Sequence, residues 1–195
     1  MAERIRSIFL DIGGWNGASA VFFRKYHPRG SEFEVFTFEC DKKNIETIKK
    51  RKLPVTLIEM AAWVYTGTVD FYYSGSHTQA GGTLYSQKKT GGISPGKHYK
   101  VPCLDIAEFI KLNFKNEDEI IIKMNCEGSE YDIINHLFKN DLIKWVNKWY
   151  VQWHWDKINM SVLEHNRICN MLPEWHEWDC QCHEDTFKTK FQNSL

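Results

Sequence analysis

Apolar runs of strand length alternate with amphipathic helical stretches along this chain, and this alternation constrains its fold more than any other feature. Residues 7–12 (SIFLDI), 34–39 (EVFTFE) and 55–60 (VTLIEM) read as strands, and 68–73 (TVDFYY) is a further strand-like run. Helices are expected over 18–26 (ASAVFFRKY) and over 43–52, which stops before Pro54. The alternation resumes with a helix at 104–114, a fully buried strand at 119–124 (EIIIKM) and a helix at 130–138. A fifth strand at 148–154 (KWYVQWH), a helix at 160–171 and two strand-like runs near 175–182 and 186–191 complete the chain. Such alternation implies parallel strands joined by right-handed crossovers, the doubly wound α/β class. No linker or internal repeat interrupts residues 1–195, so the chain reads as one domain.

Composition narrows the function. Lys+Arg and Asp+Glu number 25 each, a formal net charge of +0. A nucleic-acid binder or an anionic-membrane binder normally carries a basic excess. The sequence has no long apolar run for a membrane span and no signal peptide at its start. Six cysteines are too sparse for a disulfide scaffold, so a reducing, cytoplasmic location is expected. Half of the 12 glycines lie in residues 74–100, which read as a long loop, either functional or a mobile insertion.

Ligands of doubly wound sheets bind beyond the carboxyl ends of the strands. The first strand runs into Asp11-Ile12-Gly13-Gly14-Trp15-Asn16-Gly17, a glycine-rich turn that does not meet the dinucleotide pattern G-x-G-x-x-G. The second ends in Glu39-Cys40-Asp41, where an acid is placed to accept the hydroxyls of an adenosine ribose and Asp41 also suits a helix N-cap. The fourth ends in Asn125-Cys126-Glu127-Gly128-Ser129. Asn125 or Ser129 suits a cap, which leaves Glu127 as a functional acid. If the fifth strand continues far enough, alternation puts His154 and Asp156 on one face at its carboxyl edge, a candidate general base with its orienting acid.

Taken together, these segments resemble the FkbM family of methyltransferases, which use S-adenosylmethionine. The matching stretches are FLDIGGWNG (9–17), FTFECDKKN (36–44), EMAAWVYTGTVDFY (59–72), VPCLDIAEFI (101–110) and IIIKMNCEGSEYDII (120–134), in the family's order. The last is the most specific, being similar to the family's K-[IM]-D-x-E-G-x-E signature. The resemblance implies a Rossmann-like class I methyltransferase fold with a mostly parallel sheet and, from the last strand-like runs, a C-terminal antiparallel edge. It implies that Asp11, Gly13 and Gly17 shape the methionine pocket, with Gly14 and Asn16 in the same turn and Asn125 at the fourth strand end. It further implies Glu39 on the ribose and Met60, Ala61 and Ala62 near the adenine. Two kinds of departure from the family stand out: the turn's Asn is shifted by one place, and Asn125 and Gln152 stand where acids are common. An amide binds a divalent metal less strongly than a carboxylate, so metal dependence stays open and the base is Glu127, His154 or Asp156.

The expected reaction is methyl transfer to a hydroxyl of a sugar or glycan. The alternatives are a small-metabolite acceptor such as a polyketide, or a module that holds the cofactor without turnover. Six of the eight Trp fall in the last 51 residues, where they stack on sugar rings or fill the core. Trp15, Trp155 and His77, the last within the glycine-rich loop, are the candidate acceptor contacts. The pattern His176-x₃-Cys180-x-Cys182-His183 matches no standard zinc site, and no metal ligands are assigned. So short a chain reads as a nearly bare catalytic core, whose acceptor selection is expected to need the loop, the Trp-rich part or a neighbour. That neighbour would be a second subunit or an attached glycosyltransferase domain.

Overall fold

The computed structural model describes residues 5–73 and 81–178. Its elements are β1 (Ser7–Ile12), α1 (Ala18–Tyr26), β2 (Glu34–Phe38), α2 (Lys42–Arg51), β3 (Thr56–Ile58), β4 (Ala61–Trp63) and β5 (Gly67–Tyr72). They continue with β6 (His98–Asp105), α3 (Ile106–Asn113), β7 (Glu119–Met124), α4 (Glu130–Lys139), β8 (Val146–Val151), α5 (Val162–Cys169) and β9 (Trp175–Glu177). Six strands form one sheet in the order β3-β2-β1-β7-β8-β9, with every pairing parallel. The order reverses between β1 and β7, and a crevice opens beyond the carboxyl ends at such a point.

The central strands explain their own sequences. Ile8-Phe9-Leu10 in β1 and Ile120-Ile121-Ile122 in β7 are buried on both faces, which removes the polar alternation of a one-sided strand. On one face they meet α3, α4 and α5 through Ile110, Ile134, Leu137 and Ile168. On the other, Phe9 stacks on Phe23 of α1 with ring centres 3.8 Å apart. Trp149 is wholly buried in the larger core, against which Trp145, Trp153, Trp155 and Trp175 also pack. Trp178 joins the smaller core. The C-terminal Trp surplus is therefore core material.

Four sequence expectations need correction. The 74–100 stretch is not a plain loop: β6 begins at His98, and Thr83 bridges to Tyr72. β6 pairs parallel with β4 and antiparallel with β5, making a second, three-stranded sheet. The helix expected from residue 104 starts at Ile106, because the Asp105 carboxylate caps it by accepting the N–H groups of Ala107 (2.9 Å) and Glu108 (3.1 Å). β8 stops at Val151, so the alternation drawn out to His154 and Asp156 does not hold. The edge strand β9 runs parallel to β8, not antiparallel, while the 186–191 run lies outside the described residues. No helix among the described residues is long and apolar enough to cross a membrane.

Candidate active site

The crevice at the β1/β7 switch point is a cleft holding about 960 Å³ of empty space out to its open mouth. Its floor comes from the ends of β1, β2 and β7, and the small second sheet closes one side with Ala61, Ala62 and Phe71. Asp11 anchors the floor from beneath. Fully buried, it accepts from Ser19 Oγ (2.7 Å) and from Lys123 Nζ (2.9 Å). Lys123 also donates to the Gly13 carbonyl (2.7 Å), so one buried ion pair fixes both the β1 turn and the adjacent β7 tip. Gly13 then passes hard against β7. Its φ is 79°, and an added Cβ would lie 2.1 Å from the Asn125 carbonyl oxygen. No other residue fits there.

Glu39 stands just past β2 on the cleft wall, 8% exposed. Its carboxylate accepts three backbone N–H groups: Trp15 (2.7 Å), Cys40 (2.8 Å) and Asp41 (2.8 Å). Burial pushes its pKa up to about 7, against the pull of those donors. Asp41 caps α2 through the N–H groups of Lys43 and Asn44, so the two acids have separate tasks. Trp15, held by its N–H at a left-handed φ of 49°, is 44% exposed and lines the cleft.

The β7 tip supplies the other wall. Asn125 Oδ1 and Ser129 Oγ are buried without hydrogen-bond partners, and both residues line the cleft. Buried polar atoms left unpaired at a cleft are places for a ligand's donors and acceptors. Glu127, at a left-handed φ of 55°, lines it too. Its carboxylate faces Lys88 Nζ (2.5 Å), His154 Nε2 (3.6 Å) and Lys157 Nζ (3.9 Å). Burial pushes the Glu127 carboxyl up, but His154, Lys88 and Lys157 outweigh it and hold it below the usual carboxylate range. His154 is wholly buried behind Glu127, its backbone N–H (2.9 Å) and Nδ1 (3.0 Å) both on Glu130 Oε1. The cleft thiols Cys40 and Cys126 are pushed well up by burial, which disfavours thiolate chemistry.

Residues 11–183 match the family model described as the Methyltransferase FkbM domain. The chain belongs to the FkbM methyltransferase family. A comparison with curated proteins finds no match. The crystal structure of Methyltransferase FkbM from Methylobacillus flagellatus KT is similar at a TM-score of 0.49, with 15% sequence identity over 89% of this chain and 40% of that one. The present chain thus spans less than half of that protein's length.

In this member of the family the residues expected from sequence fall into three groups. Gly13, Trp15, Glu39, Met60, Ala61, Ala62, Asn125 and Glu127 line one cleft. Asp11, Gly14, Asn16 and Gly17 do not line it but build its turn: Asn16 Oδ1 accepts the Ala18 N–H (2.9 Å) and Gly17 precedes α1 as its N-cap. His154 sits behind the wall, Asp156 is exposed, and Trp155 stacks on His165 with ring centres 5.5 Å apart. Neither Asp156 nor Trp155 lines the cleft. His77, Cys180, Cys182 and His183 lie outside the described residues.

Sequence reasoning missed Lys123, Lys88 and Glu130. Lys123 carried a signal, since a charge closing a fully buried strand requires a buried partner. Among the described residues no group of three His, Cys, Asp or Glu side chains is placed to hold a metal ion. The two ammonium groups facing Glu127 also oppose a divalent cation there, so these residues do not fit a metal.

Proposed function

We propose that this protein is an S-adenosylmethionine-dependent O-methyltransferase that modifies a hydroxyl of a sugar or glycan. The observation that carries this reading is one cleft with an acid on each wall, the buried Glu39 past β2 and the partly buried Glu127 past β7. S-Adenosylmethionine, when bound, supplies a methyl carbon already activated by its sulfonium. Glu39 is the acid for the ribose hydroxyls, with Met60, Ala61 and Ala62 around the adenine. The unpaired Asn125 Oδ1 suits a donor of the amino-acid end, beside the Gly13 turn. Glu127, charged at neutral pH, accepts the proton that the acceptor hydroxyl gives up as its oxygen is methylated. His154 and Glu130 back the Glu127 carboxylate without reaching the cleft themselves. The Trp15 ring supports the sugar reading, because an exposed aromatic face at a cleft stacks on the apolar face of a pyranose.

The raised Glu39 pKa gives this reading a signature. Ribose hydroxyls bind the ionised carboxylate, and the protonated fraction grows as pH falls below about 7. Affinity for S-adenosylhomocysteine is therefore present above that pH and lost below it. Between pH 8 and pH 6 the dissociation constant is expected to rise about 10-fold. Calorimetric titration across that range checks it, and a flat profile removes Glu39 from the ribose.

A second reading, a module that holds the cofactor without turnover, is favoured by the amides Asn125 and Gln152 at acid positions. Transfer of a labelled methyl group to a panel of methyl glycosides separates the two. Cofactor binding without label in any glycoside supports the module.

A further inference from the structure

We propose that Lys88 is a positioning residue that holds the Glu127 carboxylate ionised and turned into the cleft. The inference rests on the reading of Glu127 as the proton acceptor. Lys88 comes from the segment between β5 and β6, outside the main strand–helix alternation, where a lysine is ordinarily solvated. Here its side chain is only 2% exposed. A buried ammonium is costly unless paired and hydrogen-bonded, and both conditions are met. Nζ donates to the Gly81 carbonyl (2.6 Å) and stands 2.5 Å from Glu127 Oε2. Gly81, at φ 85°, makes room: a Cβ there would lie 3.3 Å from the Lys88 Nζ.

The surrounding stitches bring this ammonium to one place. Thr83 Oγ1 donates to the Glu127 carbonyl (2.8 Å), the Tyr85 hydroxyl donates to Asp132, and the Lys89 N–H donates to the Lys157 carbonyl (2.8 Å). The segment is thereby bound to the β7–α4 turn and to the stretch after β8, the two pieces of chain that carry Glu127 and His154. The charged and titratable groups facing Glu127 are Lys88 from this segment, Lys157 and His154 from beyond β8, and Glu130 and Cys126 beside it. Lys88 is the nearest of these groups to the Glu127 carboxylate and the more buried of the two ammoniums, and it shares the charge compensation with His154 and Lys157.

The test is ¹³C NMR titration of the full chain labelled at the glutamate carboxyl carbons, with Glu127→Gln identifying the Glu127 signal. In the wild-type protein that signal is expected to titrate below the ordinary glutamate value of about 4.3. In Lys88→Met it moves up by about one pH unit or more, and Lys88→Arg keeps it low. A lysine that merely tethers the segment would change stability and leave this midpoint in place. An unchanged midpoint in Lys88→Met overturns the proposal. If that variant does not fold, a wild-type midpoint at or above the ordinary value overturns it. With an acceptor glycoside in hand, the acid limb of the rate profile should move up in Lys88→Met and return in Lys88→Arg. A Glu127→Gln protein that methylates at the wild-type rate would sink Glu127 as the base, whereas the NMR result alone decides whether Lys88 sets its charge.

Discussion

Lys123→Met is expected to destabilise the protein by about 3–5 kcal/mol, the cost of removing one member of a buried ion pair. Lys123 and Asp11 are 2% and 0% exposed in their side chains and 2.9 Å apart. With the ammonium gone, Asp11 keeps only the Ser19 hydroxyl, and the Gly13 carbonyl loses its donor. The charge left in the core has no water to reach. Such a loss takes up much of the roughly 5–15 kcal/mol that holds a typical domain folded. Urea denaturation reads it as a lower midpoint, and Asp11→Leu on the Lys123→Met background should recover part of the loss by removing the orphaned charge. A midpoint within error of wild type would mean that the pair does not anchor the cleft floor.

Glu127→Gln is expected to lower methyl transfer about 10²–10⁴-fold, the usual span for a positioned general base, with affinity for S-adenosylhomocysteine nearly unchanged. The amide keeps the shape of the side chain but cannot take the acceptor's proton at neutral pH. The substitution also leaves Lys88 buried beside a neutral group, so the rate is to be compared at a temperature where the variant is folded. Loss of rate together with loss of cofactor affinity would place Glu127 on the cofactor instead. Wild-type turnover would remove Glu127 as the base.

Most of the sheet was legible because period and length agree in its central strands. β1, β7 and α1 have the bounds their apolar runs predict. β6 was not legible: its sequence HYKVPCLD carries Pro102, and the glycine-rich stretch before it reads as loop. Leu104 fits the apolar period of α3, so only the Asp105 cap reveals that this helix starts two residues later. That Glu39 and Glu127 line the cleft was readable because a doubly wound sheet opens its crevice at the strand tips. The burial of His154 was not readable, since strand alternation says nothing once β8 ends at Val151. Lys88 carried no signal, because its burial depends on a fold-back of one segment onto a turn remote in sequence.

In the proposed function this cleft holds the adenosyl cofactor with Glu39 on its ribose. Calorimetric titration of S-adenosylhomocysteine into the wild-type protein and into Glu39→Gln at pH 8 tests it most directly. We expect saturable binding to the wild type and a dissociation constant at least about 10-fold higher for the variant, as for loss of hydrogen bonds to a charged acceptor. Equal affinity in both proteins, or no binding to the wild type, would contradict the account.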